Sequence, residues 1–217
     1  VLLVFFEIMS VTSGAWVTFH HDQEAERAGS MYHHLSLAAG VLMGLAVILL
    51  FLSGVQPVVG SPAVNPSHPT LFIWATLFLL AAFGTKAGMF PLHIWLPKAH
   101  PVAPTPASAL LSGILIKTGA YGLIRTGQLV NWGRTDLVPW AGTLLVVVGS
   151  ITMLLGVCLA LLQSNAKRLL AYHSVSQMGY IILGIGAAMF LKNDGAFAIA
   201  GAVFHSLNHA LFKSALF

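Results

Sequence analysis

Charge is what this sequence has least of. Of its 217 residues only 7% are Asp, Glu, Lys or Arg, against 57% hydrophobic, where a soluble domain carries about 25% charged residues. So little charge cannot cover a solvated surface, and the chain reads as an all-α polytopic membrane protein. Cysteine is nearly missing too. Cys158, the single one, excludes an intrachain disulfide framework and an iron–sulfur cluster held by this chain's own cysteines, and it is expected to pack as a small hydrophobe. Flavin and nicotinamide motifs are lacking as well, so no cofactor is expected and no redox step of the chain's own. The formal net charge of +4 comes from scattered cations, several inside apolar runs, and is no nucleic-acid footprint. The chain opens on VLLVFFEIMS, without a charged n-region or a small-residue cleavage site, so no signal peptide is read there. It closes on HALFKSALF without a polar flank. The expectation is a fragment of a longer membrane protein.

What is present is a series of seven apolar segments, each near the roughly 17–25 residues that a spanning helix needs. They lie at about Val1–Phe19, Leu35–Leu52, Thr70–Phe90, Ala107–Arg125, Val138–Leu162, Leu169–Leu191 and Ala196–Phe217. A polar loop, HHDQEAERAGSMYHH, joins the first two and carries Asp22, Glu24 and Glu26. A turn-rich loop without Lys or Arg, SGVQPVVGSPAVNPSHP, joins the next two. Arg27, Lys98, Lys167 and Arg168 fall on one side and Arg125, Arg134 and Lys192 on the other, which places the first side in the cytoplasm. Trp74, Trp95, Trp132 and Trp140 lie near segment ends, as interfacial anchors do. His20, His21, His33, His34 and His68 are loop or flanking residues, expected to be solvated.

Six ionisable side chains stand where hydrocarbon should surround them: Glu7, Lys86, Lys117, His205, His209 and Lys213. A cation at the bilayer centre costs about 2.5 kcal/mol or more, so such residues face a cavity or a partner. Glu7 reads either as a structural or interfacial carboxylate, or as the partner of an intramembrane lysine whose proton affinity it controls. Lys86 lies between Gly84 and Gly88 and five residues before Pro91, whose ring clashes with the carbonyl of Ala87. Helix regularity is expected to fail there, as it does around ion sites in transporters; snorkelling to the interface is the other reading. Lys117 has about ten segment residues on either side and the longest way to snorkel. Around it Ser108, Ser112, Gly113, Gly119 and Gly122 admit close helix approach.

His205, His209 and Lys213 are four apart and form one helix stripe about 12 Å long. No HExxH glutamate or third ligand accompanies the histidines, so no metal site is expected. A file of titratable groups suits proton hopping; hydrogen bonding to neighbouring helices is the plainer alternative. His93 and His100 flank the proline break, either at the mouth of a channel or capping loop backbone.

Three stretches, GTKAGMFPLHIWLPKAHPVAPTPASALLSGILIKTGAYGLIR, AKRLLAYHSVSQMGYIILGIG and FHSLNHALFKSALF, resemble the antiporter-like subunits of respiratory complex I. Those subunits have relatives in multisubunit cation/proton antiporters and energy-converting hydrogenases, which the stretches also resemble. FEIMSVTSGAWVTF, EAERAGSMY, LPKAHPVAP and LNHALFK look most like the hydrogenase-4 and formate-hydrogenlyase large membrane subunit. The resemblance implies two inverted helical repeats, with residues 1–126 forming the first half-channel and 138–217 the start of the second repeat. It implies a Glu7–Lys86 pair, Lys117 as the next lysine, and His205, His209 and Lys213 as a polar central axis. It further implies proton translocation (or Na⁺/H⁺ antiport) in the cell membrane, with other membrane subunits and a peripheral redox arm as partners. No redox centre is implied for this chain.

Overall fold

The structure, a computed structural model, describes residues 2–55, 66–130, 136–191 and 194–217. Among them every regular element is helical. The helices are α1 (Leu2–Val17), α2 (Gln23–Leu52), α3 (Pro69–Ala87), α4 (Leu96–Val102), α5 (Thr105–Leu110), α6 (Ile116–Leu129), α7 (Trp140–Leu161), α8 (Ala166–Leu191) and α9 (Ala196–Leu216). A 3₁₀ turn, Leu92–Trp95, leads into α4, and a π-helical turn, Leu111–Leu115, joins α5 to α6. The seven apolar segments thus map onto α1, α2, α3, α5 with α6, α7, α8 and α9, with α4 in the proline break between the third and fourth. Five of these stretches are long and apolar enough to cross a membrane among the described residues.

The second segment starts twelve residues earlier than expected. Most of the stretch read as a polar loop, from Gln23 to His34, forms the first twelve of the thirty residues of α2. Asp22 takes extended backbone angles as N-cap and accepts the Ala25 N–H at 2.7 Å, and Glu24 and Glu26 sit in the first turn, where the helix dipole favours them. Capping and charge outweigh low hydropathy here. His33 and His34 consequently lie on a helix, though both are exposed.

α3 ends one residue after Lys86. Gly88 adopts φ +73°, and Met89 N–H reaches Gly84 O at 2.9 Å while Gly88 N–H reaches Thr85 O at 3.2 Å, the paired bonds of a Schellman stop that favours glycine. Two neighbours take up groups of the break. The Trp95 indole donates to Thr85 O at 2.9 Å, and Phe90 N–H donates to Thr152 Oγ1 of α7 at 3.0 Å. Trp95 is therefore 1% exposed and not an interfacial anchor; its N–H is committed to the helix break. Trp74 is 50% exposed, whereas Trp132, Arg134 and Lys192 lie outside the described residues.

α7 and α8 pack along their lengths, with Gly149 of one against Gly179 of the other. Cys158 is exposed on α7, contrary to the packed position expected of it, because small residues take the α8 contact and Cys158 falls on another face of the helix.

Candidate functional site

Lys86 is buried on α3 beneath α1 and α2. Its ammonium donates to Tyr32 Oη at 2.7 Å, Ser10 Oγ at 2.8 Å and Ser36 Oγ at 3.4 Å. It also lies 4.8 Å from the Tyr32 ring centroid and 5.3 Å from that of Phe6, within cation–π range. Tyr32 Oη in turn bonds Ser13 Oγ at 2.5 Å. Three hydroxyls thus use the three donors of the ammonium.

Glu7 is not bonded to Lys86. Its Oε1 is buried without a hydrogen-bond partner and rests against α2 at Gly40, where a Cβ would collide with it. Glu7 lines a cleft of about 240 Å³ together with Ser10 and Ser36, two of the hydroxyls that Lys86 holds. The carboxylate and the ammonium are therefore neighbours through a shared hydroxyl layer.

The second lysine rests on an irregularity of the helix. In the π turn Ile116 N–H reaches back to Leu111 O, and the Lys117 ammonium donates to Ser112 O at 2.5 Å. Turns of this kind recur at functional sites, since they free backbone groups for other work. Ser112 Oγ bonds Ser174 Oγ of α8 at 2.8 Å, Ser174 donates to Leu170 O at 2.9 Å, and Lys213 of α9 donates to the same carbonyl at 2.7 Å. A run of polar contacts thus connects Lys117 to Lys213 through two serines.

On α9 the stripe is real in space. The rings of His205 and His209 stack at 6.4 Å with 10° between planes, and His209 and Lys213 are fully buried. Both His209 nitrogens and His205 Nε2 are buried without partners. His100 is buried likewise, with neither nitrogen partnered, its ring stacked at 4.8 Å on Phe217, over which Lys213 Nζ also lies at 5.8 Å. His100 therefore faces the Lys213 end of the stripe. His93 packs apart from it, between Phe90 and Tyr172, with Nδ1 unpartnered. Among the described residues no three metal-ligating side chains gather.

A model of the family described as NADH:quinone oxidoreductase/Mrp antiporter, TM, matches residues 1–217. The chain belongs to this family. It is 40% identical over 222 residues to Hydrogenase-4 component B of Escherichia coli (strain K12), a match covering 99% of the chain and 33% of that protein. Two solved structures share the fold. A chain of the membrane-bound sulfane sulfur reductase, an archaeal respiratory membrane complex, is 25% identical with TM-score 0.82, over 98% of this chain and 42% of that one. A chain of the Mrp complex from Dietzia sp. DQ12-45-1b is 27% identical with TM-score 0.83, over 98% of this chain and 39% of that one. The chain thus spans about a third of that curated relative. Family and membrane-length helices together make it part of a multi-pass membrane protein.

Within this antiporter-like family member, the residues that sequence reading passed over are Ser10, Ser13, Tyr32, Ser36, Ser174 and Lys167. Lys167, read as a loop cation, starts α8 and donates to Ala103 O at the end of α4 at 2.8 Å. Serines and one tyrosine carry no cost in an apolar run, so nothing marked them. Only the N-cap signal at Asp22 could have placed Tyr32 and Ser36 on the helix that faces Lys86.

Proposed function

We propose that this chain is the proton-translocating core of a membrane subunit in a redox-driven complex of the hydrogenase-4/formate-hydrogenlyase or NADH–quinone oxidoreductase type. Residues 1–126 serve as the first half-channel and 138–217 begin the second repeat. Protons pass from the Glu7–Lys86 region to Lys117 and on to His205, His209 and Lys213, with His93 and His100 toward the mouth of the break. Partner subunits in the cell membrane and a peripheral redox arm supply the driving reaction. The observation that supports this reading best is the polar run Lys117–Ser112–Ser174–Leu170–Lys213, which links the half-buried Lys117 to the buried Lys213 across three helices. Neutral lysine accepts a proton and lysine ammonium gives one up, as a relay group must.

The test uses the full-length protein in its complex, in inverted vesicles with a pH-sensitive dye. Lys117→Ala and Glu7→Gln are each expected to lower pumping by at least about tenfold while the complex still assembles. Wild-type pumping in both variants would sink the assignment. A second reading, a subunit of a multisubunit Na⁺/H⁺ antiporter, is favoured by the likeness to the Mrp complex. It differs in requiring a Na⁺ gradient, not electron flow, to drive proton movement in the same vesicles.

A further inference from the structure

The polar start of α2 does more than extend a helix. A cleft of about 430 Å³ runs along it, lined by Gln23, Glu26, Arg27, Ser30, Met31 and His34. The cleft that holds Glu7, Ser10 and Ser36 is lined further along the same helix by His33 and His34. His34 borders both. The two clefts meet at His34: the outer one is polar and begins at the first residue of α2, and the inner one is largely apolar apart from Glu7, Ser10, Ser36 and the two histidines, with Ser10 and Ser36 also bonded to Lys86. The titratable and charged groups of the two clefts are Glu26, Arg27, His33 and His34 on α2 and Glu7 on α1, with Tyr32 of α2 and Lys86 of α3 behind Ser10 and Ser36.

The chemistry of His34 suits the junction. Its Nδ1 lies 2.7 Å from Ser30 O. A carbonyl only accepts, so Nδ1 carries the hydrogen and Nε2 of the neutral ring is left as a proton acceptor. At the far end Glu7 Oε1 is buried with no donor to satisfy it, which fits a carboxylate that takes protons.

We propose that His34 is a proton-relay residue joining these two clefts, so that protons load onto Glu7 along α2 from the aqueous side at its N-terminus. The ring accepts a proton at Nε2 from water on the outer side. With Nδ1 still hydrogen-bonded to Ser30 O, it regains neutrality by releasing a proton from Nε2 toward the inner cleft, where Glu7 receives it. The inference rests on the proposed function above and adds the loading route.

Pumping is measured in vesicles with the full-length protein in its complex, with assembly followed on native gels. His34→Gln and His34→Ala are each expected to slow pumping at least about tenfold, and added imidazole to restore the alanine variant. Val11→Phe, which fills the inner cleft from its rim, is expected to slow pumping with His34 intact. In the Glu7→Gln background, His34→Gln is expected to have no further effect, because the two groups act in series. Wild-type rates in His34→Gln and Val11→Phe overturn the proposal. Loss without imidazole rescue overturns it too, since it assigns His34 a merely structural part. Lys117→Ala separates the levels: if that variant pumps normally the broader reading falls, and if only the His34 and Val11 variants do, the loading route alone falls.

Discussion

Two buried lysines of this protein are kept in opposite ways. Lys86 is held by three side-chain hydroxyls from α1 and α2, with a tyrosine ring and a phenylalanine beside it. Lys213 has one backbone carbonyl and lies in a region of imidazoles whose nitrogens are unpartnered. Hydroxyls can turn to accept from an ammonium or donate to a neutral amine, so the Lys86 pocket tolerates either protonation state. A carbonyl cannot turn. At Lys213 the adaptable groups are His205 and His209, whose buried unpartnered nitrogens accept or donate according to tautomer. Lys86 is thus held by several side chains at once, and Lys213 by one fixed acceptor beside unpartnered rings.

The contrast breaks most visibly at Tyr32. Its hydroxyl bonds both Lys86 and Ser13, so Tyr32→Phe removes one acceptor from a buried cation and one partner from a buried serine. Hydrogen bonds to charged groups contribute about 1.5–3 kcal/mol, and a destabilisation of about 2 kcal/mol is expected. Unfolding of the full-length protein in mild detergent, compared with wild type, measures it. A change below about 0.5 kcal/mol would mean that Ser10 and Ser36 suffice and that the pocket is not built around the tyrosine.

How much of this was written in the sequence depends on what each residue costs. Lys86, Lys117 and Lys213 stand out because cations are expensive in hydrocarbon, and the break after Lys86 stands out because Gly88 and Pro91 leave helical geometry few options. The helix count follows from apolar length. The hydroxyls around Lys86 stayed hidden because serine and tyrosine are cheap anywhere, and two of the three acceptors lie on or just past a stretch whose polarity hid a helix. The π turn under Lys117 leaves no periodic trace in five residues. Trp95 was misplaced for a related reason: sequence shows a tryptophan near a segment end, while only the fold shows the carbonyl that claims its N–H.

Trp95 gives the next, smaller effect. It ties the helix break to the Lys86 pocket, donating to Thr85 O and packing at 5.1 Å from the Tyr32 ring. Trp95→Phe keeps most of the packing and loses the donor. Thr85 O still accepts from Gly88 N–H at 3.2 Å, so the loss is expected near the ordinary value of about 1 kcal/mol. It should be local, appearing as faster amide hydrogen exchange over residues 85–96 with the α8–α9 seam unchanged. Equal acceleration in both places would deny that the two lysine regions are separately held.

The smallest effect on stability is expected where the effect on function is large. His209 is fully buried with both nitrogens unpartnered, and its ring packs at 5.2 Å from Phe212 and 6.4 Å from His205. In His209→Phe a ring of similar shape replaces the imidazole, and no protein hydrogen bond is lost. Replacing an unsatisfied polar group by an apolar one of like shape is nearly neutral or stabilising, so unfolding should move by no more than about 0.5 kcal/mol in the unfavourable direction. Pumping, which needs a group that both accepts and donates, should fall at least about tenfold. A marked loss of stability would show that His209 is held by bonds in the assembled complex and belongs with Lys86 as a fixed element. Full stability with full pumping would remove His209 from the path and leave His205 and Lys213 as its groups on α9.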